Sequence, residues 1–194
     1  MVREKNLFIL CLQESKLSVV NDLVCKAIWN DNNVHFSYQP SIGALGGIVT
    51  LWNCNEVEVW SSFNLEHVLG IRGKFMKTGV TFTLLNVYAP CDSNRQQVLW
   101  HNISARMATM LDENVCVCGD FNAVRCSEER RSVGNVVNHA GSASFNAMID
   151  DNCFVDLPLR GRRFTWYRGD GRSMSRIDRF LLSDRWCSTW PNCF

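Results

Sequence analysis

Four stretches of the 194-residue chain set polar, chemically capable side chains at the end of an apolar run or inside one. Strand ends suit catalysis because the sheet fixes the backbone while the adjoining loop stays open to substrate. The first stretch is Leu12-Gln13-Glu14-Ser15, which follows the apolar run Leu7 to Leu12. Glu14 is a candidate ligand for a hard cation, since Mg2+ binds through one or two carboxylates and keeps several waters. The competing reading is a strand-end residue accepting a turn or cap hydrogen bond. The second stretch, Val115 to Asn122, ends in Gly119-Asp120-Phe121-Asn122. If the chain stays extended, Asp120 and Asn122 share a side, because side chains alternate with period two. A carboxylate that takes a proton from an attacking water, beside an amide that donates to a phosphoryl oxygen, is the pairing phosphodiester hydrolysis needs. An Asx turn competes for the same residues.

The third stretch is Leu85-Asn86-Val87-Tyr88-Ala89-Pro90, where a strand stops at proline and Tyr88 is either a hydroxyl donor to phosphate or an aromatic at the core edge. The fourth runs from Ser175 to Leu182 and sets Asp178 among apolar residues, flanked by Arg176 and Arg179. A carboxylate there is costly to bury alone. It is either paired with one of those arginines or part of a site. Between Arg160 and Arg179 lie seven arginines (Arg160, Arg162, Arg163, Arg168, Arg172, Arg176, Arg179) against Asp170 and Asp178, a local surplus of five inside a chain of net charge +1. Converging arginines attract phosphates whatever the distant charges do, and a solvated loop is the alternative.

The elements that must carry these residues are short. Leu7 to Leu12, Gly47 to Trp52, Val57 to Trp60, Val68 to Phe75, Val80 to Tyr88, Val115 to Cys118, Arg163 to Tyr167 and Arg176 to Leu182 read as strands. Apolar stripes at helical spacing are rarer: Val20, Leu23, Val24 and Ala27; Trp100, Ile103, Met107 and Leu111; Phe145, Met148 and Ile149. Many strands with few helices predict an α/β or α+β sandwich. With 46% apolar and 20% charged residues the chain can build a core, which excludes disorder and disulfide miniproteins. The longest apolar run, Leu7 to Leu12, is far short of a membrane span. No secretory signal opens the sequence. The ten cysteines show no CxxC pair or zinc-like spacing, and most, such as Cys11, Cys116, Cys118 and Cys153, sit in apolar stretches. Reduced, structural thiols in a nuclear or cytoplasmic, non-secreted protein are the expectation.

In order and spacing, QES, NVYAP, GDFNAV, FTWYRG and SRIDRFLLS resemble the endonuclease/exonuclease/phosphatase superfamily. More narrowly, they resemble the endonuclease domain of plant non-LTR (LINE-type) retrotransposons, from about Leu7 to Trp186. The resemblance implies a DNase I-like four-layered β-sandwich flanked by helices, Mg2+ (or Mn2+) as cofactor and DNA as partner, with no membrane and no obligate protein partner. It implies that Glu14 binds the metal, Tyr88 contacts the scissile phosphate, Asp120 positions and deprotonates water, and Asn122 is the amide beside it. Asp178 matches an aspartate that orients a histidine in relatives, and Arg160, Arg162, Arg163, Trp166, Arg168 and Arg176 would lie near nucleic acid.

Relatives also open with a strand carrying a metal-site asparagine and end in a Ser-Asp-His motif, and none of His35, His67, His101 or His139 lies in a matching context. The expectation is therefore one domain over residues 1–194, partial at both chain ends. It would be a Mg2+-dependent phosphodiesterase or DNA endonuclease domain of retrotransposon origin, catalytically impaired. Two alternatives stand beside it: a non-catalytic relic with weak nucleic-acid affinity, and a phosphatase of lipid or small-molecule phosphates.

Overall fold

Near-continuous apolar runs become strands buried on both faces, and the polar residues that interrupt them mark the places the site uses. In the computed structural model, which describes residues 7–43, 46–132, 140–169 and 171–193, the chain divides into two compact units, Met1–Tyr88 and Ala89–Phe194. His139 and Asp170 lie outside the described residues.

The first unit holds two antiparallel groups of strands. Strands β1 (Ile9–Leu12), β2 (Val34–Gln39) and β3 (Ile48–Asn53) run in the order β1-β3-β2, so that Trp52 of β3 lies opposite both Ile9 and His35. Strands β4 (Val57–Leu65), β5 (Val68–Phe75) and β6 (Thr81–Tyr88) form a meander, with a bulge in β4 between Val59 and Ser61. β3 and β6 are buried almost throughout, as expected of strands covered on both sides. Helix α1 (Asp22–Trp29) starts at Asn21, whose side chain accepts from the Val24 amide, and ends at Asn30 in the left-handed conformation.

α1 buries Cys25 and Trp29 against β2 and β3 in a cluster with Val34, Val49 and Leu51. That corrects the expected stripe: Leu23 is 79% exposed and Ala27 is exposed. Val20 precedes the N-cap, so it is out of helical phase with the residues that follow. β2 is absent from the sequence reading, although Val34, Phe36 and Tyr38 alternate with His35, Ser37 and Gln39 at the period-two spacing of a half-buried strand.

In the second unit, β7 (Val115–Asp120) pairs with β12 (Asp178–Leu182), which pairs in turn with β9 (Val155–Asp156). A small separate sheet orders β10 (Trp166–Tyr167), β11 (Met174–Ser175) and β8 (Arg130–Arg131). Of the expected strand Arg163 to Tyr167 only the last two residues pair. Helices α2 (Ser93–Met107) and α3 (Ala140–Asp151) bury Leu99, Trp100, Ile103, Phe145, Met148 and Ile149. Trp100, Phe121 and Phe145 form a ring cluster with centroids 5.0 to 6.0 Å apart, near the favoured separation for tilted aromatic pairs. α2 stops at Met107, so Leu111, expected on its apolar stripe, is 81% exposed and Met110 fills the core instead. A short helix α4 (Asp184–Thr189), capped by the Ser183 hydroxyl, follows β12. All ten cysteines are free thiols, and Cys153, read as a structural thiol in an apolar stretch, is exposed at a left-handed φ of 52°. Among the described residues no helix is long and apolar enough to cross a membrane.

Candidate functional site

The residues singled out by type and spacing fall into three sets. The first belongs to the first unit. β1 ends at Leu12, and the chain turns through Glu14 and Lys16, both left-handed at φ 51° and 57°. The turn is pinned by Ser15 N–H to Gly47 O and Lys16 N–H to Gly46 O, each 3.0 Å. Gly47 has φ +87°, a conformation that side-chain-bearing residues rarely adopt, and a Cβ there would also crowd the Ser15 hydroxyl, so the position favours glycine. The exposed Glu14 carboxylate accepts a hydrogen bond from the Tyr88 hydroxyl at the end of β6. Behind them the Gln13 amide donates to Asn86 Oδ1 at 2.5 Å, and Asn86 Nδ2 donates to Val49 O and Thr50 Oγ1, both at 3.1 Å. Sequence reasoning missed Gln13 and Asn86; the available signal was an amide inside the apolar run LLNVY.

Glu14 offers a hard carboxylate oxygen, and among the described residues no three His, Cys, Asp or Glu side chains converge. One carboxylate with room for water and phosphate oxygens suits Mg2+ and does not suit zinc, which takes four nitrogen or sulfur ligands in closed sites.

The second set belongs to the second unit. β7 extends past the expected Cys118 to Asp120, which lies directly opposite Asp178 of β12, so the two carboxylates leave the same face of the strand pair. Like charges opposite one another repel, so strand pairing by itself does not favour this placement. Asn122 corrects the extended-chain expectation. It is left-handed at φ 47°, its amide N–H donates to Asp120 Oδ1 at 2.8 Å, and its Nδ2 donates to Ala89 O at 2.8 Å. The Asx turn is therefore real, and it brings Asn122 back beside Asp120 where a straight strand would carry it away. Buried Gln96 of α2 clasps the same turn, donating to Pro90 O at 2.9 Å and Asn122 O at 3.2 Å. Thr165 Oγ1 accepts from the backbone N–H groups of Ile177 and Asp178, each at 3.0 Å, and fixes the start of β12.

The third set is the arginines, which divide sharply. The Arg179 side chain is fully buried, its guanidinium bonded to Glu129 and to Asp156 Oδ2, the latter at 2.7 Å. Arg176, expected near nucleic acid, is drawn into the same cluster, with Nη2 2.9 Å from Asp156 Oδ1 and 2.7 Å from Leu157 O and Nη1 3.2 Å from Glu129 Oε1. Both arginines beside Asp178 therefore turn to Glu129 and Asp156. Burial pushes the Glu129 carboxyl up, but the Arg179 hydrogen bond, the Arg125 N–H and the nearby guanidinium charges outweigh it and hold it below the usual range. Arg160, Arg162, Arg163 and Arg168 are exposed, as are Trp166 and Tyr167. Arg163 donates to Glu128 O and lies 5.5 Å from the Phe164 ring centroid.

Comparisons with known proteins agree on this architecture. Residues 1–193 match the sequence model of the Endonuclease/Exonuclease/phosphatase family. No curated protein matches the sequence. Among solved structures the chain is similar to the AP endonuclease LMAP of Leishmania major, with a TM-score of 0.75 at 16% identity, covering 96% of this chain and 73% of that one. It is also similar to the endonuclease domain of TRAS1, a telomere-specific non-LTR retrotransposon, with a TM-score of 0.69 at 13% identity, covering 94% and 76%. A third similar structure is the mannosyl-6-phosphatase Bt3783 of Bacteroides thetaiotaomicron, with a TM-score of 0.64 at 13% identity, covering 94% and 73%. These likenesses show the DNase I-like fold, with its mixed strands and flanking helices.

Proposed function

The chain belongs to the endonuclease/exonuclease/phosphatase family, and on that premise we propose that it is a Mg2+-dependent phosphodiesterase acting on DNA, of the retrotransposon endonuclease kind. The observation that carries this reading is the Asp120–Asp178 register with Asn122 folded back beside it. In this reading Asp120 accepts the proton of a water attacking phosphorus, while Asp178 orients the polar groups around it. Asn122 has one amide hydrogen committed to Ala89 O, which leaves its second for a phosphoryl oxygen. Tyr88 is the hydroxyl for the scissile phosphate, and its bond to Glu14 sets the direction of the phenol. Glu14 would hold the cation, whose chemistry there would be to neutralise phosphate charge. The likeness to an AP endonuclease and to a retrotransposon endonuclease domain supports a nucleic-acid substrate, and the exposed arginines with Trp166 and Tyr167 suit a polyanion more than a small sugar phosphate.

The test is Mg2+-dependent nicking of supercoiled plasmid. Asp120→Asn should lower the rate by ~10²–10⁴, the range that general acid–base help contributes. Nicking that survives Asp120→Asn would remove Asp120 from the chemistry. DNA binding without nicking would favour a non-catalytic binder, and hydrolysis of p-nitrophenyl phosphate with plasmid left intact would favour the phosphatase reading suggested by the Bacteroides likeness.

A further inference from the structure

Asn86 lies in the middle of β6 with no exposed surface, where an amide is costly unless its hydrogen bonds are made. They are made in one direction each: both Nδ2 bonds go to β3, at Val49 O and Thr50 Oγ1, and Oδ1 takes the Gln13 amide. Tyr88 stands two residues further along β6 and so on the same face, and its hydroxyl takes Glu14. One face of β6 thus grips two consecutive residues of the turn after β1. Consecutive residues of a regular strand point to opposite sides. The left-handed φ of Glu14, with Gly47 making room for the turn, lets both side chains reach β6.

We propose that the Gln13–Asn86 amide pair is the positioning device of the cation site, fixing the backbone from which the Glu14 carboxylate is presented. The inference rests on the proposed role of Glu14 as cation ligand and adds the residues that set its geometry. Asn86 is fully buried, and Gln13 commits its Nε2 inward to Asn86. Tyr88 fixes one oxygen of Glu14, and the Ser15 and Lys16 N–H bonds to Gly47 O and Gly46 O tie the chain after it. The Gln13 bond ties the other side, holding residue 13 through Asn86 to β3. Partners that orient a ligand without touching the metal are commonly worth 10- to 100-fold in affinity.

The test uses the full chain and Mn2+ alone as the spectroscopically visible substitute for Mg2+, with free Mn2+ read by its electron paramagnetic resonance signal well below the melting temperature. Gln13→Met keeps the length of the side chain and removes the donor. It should stay folded and raise the Kd for Mn2+ by about 10- to 100-fold, while Glu14→Gln abolishes specific binding. A Gln13→Met protein that melts earlier but binds Mn2+ like the wild type overturns the proposal, because a merely structural amide lowers stability without moving the Kd. Asn86→Leu should match Gln13→Met in Kd; should it fail to fold, the half-buried Gln13 position decides alone. Glu14→Gln binding like the wild type, or a wild type that binds no Mn2+, overturns the assignment of Glu14 itself and the amide pair with it. A weakened Gln13→Met beside an abolished Glu14→Gln supports both.

Discussion

Glu14 and Asp178 are both acids with an inward-facing apparatus behind them, but the two are held by opposite chemistry. Behind Glu14 stand neutral groups, the Gln13 and Asn86 amides and the Thr50 hydroxyl, linked by hydrogen bonds with no charge buried among them. On either side of Asp178 stand Arg176 and Arg179, engaged with Glu129 and Asp156 in a cluster whose acidic side chains are 14% and 6% exposed. The amide arrangement is directional and indifferent to pH. The ionic one is strong only while every partner keeps its charge, since desolvation must be offset by geometry. Arg179 has a further contact, its guanidinium 5.5 Å from the Phe145 ring centroid, so the cluster also ties β12 to α3.

The largest expected effect is on that cluster. Arg179→Met leaves Glu129 and Asp156 short of their most buried partner, and removing one member of a buried ion pair typically costs about 3–5 kcal/mol. Denaturant unfolding of the variant against the wild type measures it. A loss below about 1 kcal/mol would mean that the cluster behaves like an exposed ion pair, and the contrast with the amide clamp would collapse.

A smaller effect separates the two regions by pH. The folded Glu129 carboxyl is held below its ordinary range, so its contribution is present above the unfolded value, about 4.3 for glutamate. That contribution is lost as pH falls through the lower, folded value. The wild type should therefore lose part of its stability between pH 7 and pH 3 that Glu129→Gln has already lost, and the gap between their melting temperatures should narrow toward pH 3. Asn86 does not ionise between pH 3 and pH 7, and a substitution there should lower the melting temperature equally at both pH values. A Glu129→Gln gap that stays constant with pH would break the distinction.

How far the sequence disclosed these regions depends on what each residue owes to its neighbours in the chain. Strands such as β5 and the core of β6 were legible because their apolar runs are themselves the cause of their burial. The Asp120 strand end was legible for the same reason, although its extent to Asp120 and the backward fold of Asn122 were not, because an Asx turn and an extended continuation begin with the same letters. The Gln13–Asn86 bond spans 73 positions and Arg179–Glu129 spans 50. No local pattern specifies such a pairing, and only the folded register of β3, β6 and β12 makes it. For that reason Arg176 was indistinguishable by composition from Arg160 or Arg163.

That last confusion yields the most delicate prediction, because the two kinds of arginine should separate by salt dependence, whatever their shared effect on affinity. An arginine that neutralises a phosphate releases a condensed counterion, and each such contact contributes about −0.9 to the slope of log affinity against log salt on duplex DNA. Arg160, Arg162 and Arg163 are exposed, so replacing all three with alanine should flatten the slope by up to about 2.7 if each meets a phosphate. Arg176 has its guanidinium committed to Asp156, Glu129 and Leu157 O, so Arg176→Ala should lower stability and leave the slope alone. Fluorescence anisotropy with labelled duplex from 50 to about 300 mM KCl reads both, at a temperature where each variant is folded. The opposite pattern, a slope that moves with Arg176 and ignores the exposed three, would place the DNA-facing surface at the ion cluster. The cluster would then have to open for Arg176 to reach a phosphate, and the stability lost by Arg179→Met would reappear as a change in DNA affinity.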